Sequence, residues 1–82
     1  MREFNTIKEL FEAVKSGKVD ESKLRIVLDN DCTDFYEGEP DDFGDENWDW
    51  KNIEIEVSEA NGYSDIEALY KLLFPKADVQ WC

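Results

Sequence analysis

Residues 29–50, DNDCTDFYEGEPDDFGDENWDW, contain ten carboxylates and no Lys or Arg. A buried core has little use for such a stretch, because an unpaired charge is costly to remove from water. The same residues include five large rings, Phe35, Tyr36, Phe43, Trp48 and Trp50, and a solvated loop has little use for those. Whatever this chain folds into must accommodate both.

The charge around the stretch is segregated. From Ile26 to Tyr70 there are fifteen acids and one base, Lys51, whereas the two ends together hold six acids and eight bases. The net charge of −12 is therefore concentrated in the middle of the chain. Disordered acidic chains are usually poor in aromatics, but this one has eleven and a hydrophobic fraction of 41%, so a folded protein is expected. Eighty-two residues make one domain, 1–82, with a single modest core.

Apolar periodicity locates the elements. Phe4, Ile7, Leu10, Phe11 and Val14 recur at helical spacing. Thr6 followed by Glu9 fits a capping box, and Gly17 fits a left-handed stop, so a helix is predicted over about 7–15. KLRIVLD alternates Leu24, Ile26 and Leu28 against Arg25 and Val27, and NIEIEVS alternates Ile53, Ile55 and Val57 against Glu54 and Glu56; both read as strands. NGYSDIEALYKLLFP predicts a second helix, capped by Ser64 and Glu67 and ended by Pro75. ADVQW reads as a short last strand, and DFYEGE has room for a further one with a turn at Gly38. The expected fold class is α+β: two helices on one face of a small, mostly antiparallel sheet, in the order α-β-acidic loop-β-α-β. If the strand at 53–57 extends backwards unbroken, Trp48 and Trp50 share a face with Glu54 and Glu56; a bulge near Lys51 would instead turn them inward.

Several function classes are disfavoured. Histidine is absent, which removes His-dependent nucleophilic triads and His-containing zinc sites. A Ca²⁺ loop starting at Asp29 fails at Thr33, Asp34 and Pro40, and starts at Asp31 or Asp41 fail in the same way. Asp29 and Asp31 are the one pair that fits paired-carboxylate chemistry, but no base stands near them to hold an anionic substrate. No catalytic residue, metal or cofactor is nominated, and the chain is not expected to be an enzyme. A carboxylate protein binding a divalent metal remains the weaker alternative. The one-signed field repels nucleic acid and anionic membrane. No segment reaches the roughly 18 apolar residues of a spanning helix, and MREFNTIKEL is amphipathic without a signal-type apolar run, so a cytoplasmic protein is expected. Cys32 and Cys82 are read as free thiols. A monomer is expected, because the acidic face resists self-association.

Acids on alternating positions, interleaved with rings, match what a nucleic-acid groove contains: Arg and Lys aimed at phosphates, and apolar groups that meet bases and sugars. A plainer reading makes the run a solvated loop whose aromatics pin it to the core.

Small size, strong acidity, an α+β pattern and acids concentrated in residues 29–50 and in NIEIEVSEANGYSD resemble the small phage-encoded DNA-mimic inhibitors. That functional group includes many anti-CRISPR proteins, anti-restriction proteins and uracil-DNA glycosylase inhibitors. Its members share no sequence signature. The resemblance implies an inhibitor that occupies the basic nucleic-acid-binding groove of a nuclease or another DNA- or RNA-processing enzyme, and the best fit is a CRISPR effector blocked at target-DNA or PAM binding. The implied contacts are Asp29, Asp31, Asp34, Tyr36, Glu37, Glu39, Asp41, Asp42, Phe43, Asp45, Glu46, Trp48, Asp49, Trp50, Glu54, Glu56 and Glu59. An immunity- or antitoxin-like protein that neutralises a basic toxin enzyme would use the same physics.

Overall fold

The computed structural model describes residues 2–30, 32–39, 51–62 and 64–81. The fold is α+β, with three helices and a five-stranded mixed sheet among these residues.

The first strand, β1 (Arg2–Phe4), was not foreseen. Phe4 stands in it rather than on the first helix, because the chain ahead of Thr6 is extended: Thr6 itself has φ −140° and ψ 160°, the backbone of an N-cap. Helix α1 (Ile7–Lys15) has the predicted bounds. Thr6 Oγ1 accepts from the Glu9 N–H at 3.1 Å, and the Glu9 carboxylate accepts from the Asn5 N–H at 2.6 Å. This is a capping box reaching one residue further back than the usual pair. At the other end the Ser16 N–H donates to Glu12 O at 2.9 Å, and Gly17 takes φ 83°.

A 3₁₀ turn at Glu21–Lys23 leads into β2 (Leu24–Leu28). Asp20 caps that turn, its Oδ1 accepting from both the N–H and the hydroxyl of Ser22. Strand β3 (Thr33–Glu37) is the one foreshadowed in DFYEGE, and Gly38 follows it with its N–H donating to Lys23 O at 2.8 Å. Strand β4 (Lys51–Ile55) is shorter than its alternation predicted. Val57 does not continue the strand but opens a short helix, α2 (Val57–Asn61), in which the Ala60 N–H donates to Glu56 O. Glu59 and Ala60 in it are good helix formers, and the turn carries Ala60 into the core at 1% exposure. Helix α3 (Ile66–Leu73) is capped by Asp65, not Ser64: Asp65 Oδ1 accepts from the Ala68 N–H at 3.2 Å. Phe74 closes it just before Pro75, and β5 (Asp78–Trp81) ends the described chain.

The sheet runs β1-β4-β3-β2-β5. Strands β2, β3 and β4 form an antiparallel meander, but β1 lies parallel to β4 and β5 parallel to β2. The expectation of a mostly antiparallel sheet is thus corrected. Helices connect β1 to β2 and β4 to β5, and such crossovers bring strands back in the same direction.

In-register partners share a face. One face contributes Leu24, Ile26, Leu28, Phe35 and Ile53 to a single buried cluster with Ile7, Leu10, Ala13, Ala60, Tyr70 and Phe74 from the helical segments. Phe35 meets Tyr70 edge-on at 5.6 Å between ring centroids, and Phe11 meets Phe74 at 6.1 Å. Tyr70 is fully buried, and its hydroxyl donates to Ala60 O, fastening α3 to α2.

Candidate partner-binding surface

The opposite face of the sheet carries three of the acids of the described strands, Glu3, Asp34 and Glu54. Its register brings Glu3 beside Glu54, Val27 beside Asp34, and Tyr36 between Arg25 and Asn52. One residue beyond the Phe35↔Ile53 pair, the same antiparallel ladder sets Asp34 against Glu54. Asp34, Glu54 and Glu3 therefore form a carboxylate row across three neighbouring strands, β3, β4 and β1, each step about 4.8 Å. All three are exposed.

The cation on this face is already committed. Arg25 Nε lies 3.4 Å from Asp78 Oδ2, and Arg25 Nη2 donates to Gln80 Oε1 at 3.1 Å. These contacts hold it on the β2–β5 side. Among the described residues, no Lys or Arg makes an ion pair with Glu3, Asp34 or Glu54. Among the described residues the β3–β4–β1 side of this face is thus one-signed, with a half-buried ring, Tyr36, at its border.

Other candidates occupy different positions. Glu56 is exposed and stands at the N-cap position of α2, without a side-chain capping bond, instead of continuing β4, so Glu54 and Glu56 are not alternate positions of one strand. It still lines a cleft with Glu3, Asn5 and Glu54. Glu39 is exposed and bound to Lys23 Nζ at 2.9 Å, and that hydrogen bond with its charge raises the Lys23 pKa above its ordinary value. Asp29 is half-buried where β2 ends, and Glu37 is half-buried on the face shared with Leu24 and Lys51. Glu59 belongs to the helical side: its carboxylate accepts from the Ile7 N–H at 3.3 Å, tying α2 to the start of α1. Its placement is that of a structural link rather than a member of the acidic row. Asp31, Asp41, Asp42, Phe43, Asp45, Glu46, Trp48, Asp49 and Trp50 lie outside the described residues.

Sequence reasoning passed over Glu3 and Asn52. Glu3 alternates between Arg2 and Phe4, and that weak signal acquires meaning only once β1 is known to pair with β4.

Chemically, this surface can attract and hold cations. Cys32 Sγ is 3.8 Å from Asp34 Oδ2, a weak contact, and among the described residues no group of three or more Asp, Glu or Cys side chains is arranged to hold a metal. No helix among them is long and apolar enough to cross a membrane. No family model, no curated protein and no solved structure matches the chain.

Proposed function

We propose that this protein is a stoichiometric inhibitor that presents a carboxylate surface to the basic nucleic-acid-binding groove of a nuclease or another DNA- or RNA-processing enzyme. The observation that carries the reading is the row Asp34, Glu54 and Glu3 on the sheet face opposite the core, beside Tyr36, with no ion pair to a Lys or Arg among the described residues. Carboxylates at strand spacing meet Arg and Lys that otherwise bind phosphates, while the ring meets a site that otherwise receives a base or sugar. The protein acts by occupancy, without catalysis or cofactor, inside the host cytoplasm. A CRISPR effector is the best-fitting target, since its channel is long and strongly basic. Electrostatic attraction sets the association rate, and the aromatic contact sets the residence time.

The test is capture of partners from cell extract at low salt, with the native chain and with a Glu3→Gln/Asp34→Asn/Glu54→Gln variant. A second variant changes Asp41, Asp42, Asp45, Glu46 and Asp49 to Asn or Gln. A nucleic-acid-handling enzyme that is retained by the native chain, released by duplex DNA and lost with either variant is the expected result. A partner indifferent to DNA would replace the reading with a toxin-neutralising one, and retention of nothing by the native chain would overturn both.

A further inference from the structure

The helical side carries a feature of the opposite sign to the sheet face. A groove between α1 and α3 is lined by Ile7, Lys8, Phe11, Leu69 and Leu73, with Glu59 at the end where it holds the Ile7 N–H. Phe11, Leu69 and Leu73 are only half-buried there. Leu72, three residues on from Leu69 and hence beside it on the helix, is 78% exposed. A lone exposed leucine is ordinary, but a leucine that borders an apolar groove extends a patch of the kind that another chain covers. We infer that this groove docks an acidic amphipathic helix of a partner protein. The inference is independent of the acidic row on the sheet.

Charge chooses the occupant. Lys8 lines the groove, and Lys15 Nζ stands 5.2 Å from the centroid of the Phe11 ring at its border. Among the described residues neither lysine makes an ion pair. The acids nearby are engaged elsewhere or stand outside: Glu9 accepts from the Asn5 N–H, Glu59 from the Ile7 N–H, Glu67 pairs with Lys71, and Glu12 does not line the groove. In a chain of net charge −12, an apolar groove bordered by two ammonium groups without acidic partners is a place that attracts carboxylates instead of repelling them. Apolar anchors and acids on one occupant describe an amphipathic helix, with apolar side chains at i, i+4 and i+7 in the groove and flanking carboxylates on the lysines. Helices α1 and α3 have nine and eight residues, about 12–14 Å, which matches roughly two turns of such a helix. An anionic bilayer or a second copy of the chain also combines apolar groups with negative charge, but the whole-molecule charge opposes the approach of either.

The experiment titrates the ¹⁵N-labelled full chain with two lactam-bridged helical peptides that share leucines at i, i+4 and i+7 and carry either Glu or Gln at the flanking positions. Salt is held near 0.15 M, where a Debye length of about 8 Å screens the distant acids. The Glu peptide is expected to bind about three- to tenfold more tightly, with the largest amide shifts at Lys8, Phe11, Leu69 and Leu73. Lys8→Gln/Lys15→Gln should bring the two affinities to within about twofold of each other and leave that of the Gln peptide unchanged. Leu72→Gln, at an exposed position where the fold does not depend on it, should weaken both peptides about tenfold without lowering Tm. Glu3→Gln/Asp34→Asn/Glu54→Gln should leave peptide binding as it is, which separates this groove from the sheet face. Equal affinities for the two peptides, a preference that survives the lysine changes, or no binding by either would overturn the proposal. So would the same amide shifts on concentrating the chain alone, with a dimer in sedimentation, or flotation with phosphatidylserine vesicles that Leu72→Gln abolishes; the first would make the groove a contact between copies and the second a membrane patch.

Discussion

Tyr70→Phe is the substitution whose cost can be worked most directly from the structure. The tyrosine is fully buried, and its hydroxyl donates to the carbonyl of Ala60, itself 1% exposed. Ala60 lies in the last turn of α2, which stops at Asn61, so its carbonyl is one of the terminal acceptors that no later helical N–H reaches. Removing the hydroxyl leaves that acceptor without its donor in a dry environment, at a cost of about 1–3 kcal/mol. The ring stays, with its contacts to Phe35 at 5.6 Å and Phe74 at 6.5 Å, so no large cavity adds to the loss. In a domain of this size each kcal/mol shifts Tm by roughly 4–8 °C, so a fall between about 4 and 24 °C is expected. Urea melts followed by near-UV circular dichroism should show a lower midpoint with an unchanged slope. Tyr70→Leu should cost more, because it removes the ring contacts as well. A Tyr70→Phe protein that melts with the native one would refute the reasoning, since Ala60 would then have another donor.

Other expectations follow from single positions. A Cβ on Gly62 would stand 2.6 Å from Ser58 O, a backbone atom that cannot swing aside; Gly62→Ala should lower Tm more than Gly17→Ala, which has open space around it and costs only about 1 kcal/mol for its φ of 83°. Thr33 Oγ1 is buried without a hydrogen-bond partner, and Thr33→Val, which keeps the branched shape suited to a strand, should raise Tm by a few degrees. The Asp20 carboxyl is held below its ordinary value of 3.8, first by the Ser22 hydroxyl and then by the Ser22 N–H. A depressed carboxyl stabilises the fold above the unfolded value and ceases to do so as pH falls through the folded one. Thermal melts of the native chain and of Asp20→Ala should therefore differ at neutral pH and converge as pH drops below 3.8.

What could be read from the chain beforehand was whatever its periodicity repeats often enough to specify. Helix α1 spans more than two turns with a cap at each end, and β2 shows three inward apolar residues, so both stand where alternation and capping placed them. β1 has three residues, too few to establish a period, and Phe4 satisfied a helical spacing by coincidence. Val57 kept the parity of a strand, yet the chain turned after Ile55 because burying Ala60 and housing the Tyr70 hydroxyl require a helix there. The same limit applies to the surface. The outward direction of Glu54 was legible within one strand, but its neighbours Glu3 and Asp34 come from two others, and only the register shows them as a row. Glu59 looked like one more acid of the run and is instead bound to the Ile7 N–H, a distinction that composition does not encode.

That row also has a consequence for stability. Glu3 and Glu54 face one another in register on adjacent strands, and Asp34 continues the line. Like charges directly opposed in a sheet destabilise it, by an amount comparable to the roughly 0.2–1 kcal/mol that favourable pairs contribute. A face needing only solubility would alternate its signs, and here Arg25, which stands beside Tyr36 on the same face, is paired with Asp78 on β5. Under the proposed function this repulsion is the cost of a binding face, a case of function and stability competing. Glu54→Gln should therefore raise Tm slightly in the isolated protein while weakening binding to a basic partner. The repulsion lies across exposed positions and salt screens it, so the gain should be largest at low ionic strength and fade towards 0.5 M salt, about where the Debye length shrinks to a few ångströms. If Glu54→Gln lowers Tm at every salt concentration, the carboxylate is making a stabilising contact, the row is not a strained display, and its assignment as a binding surface loses its energetic support.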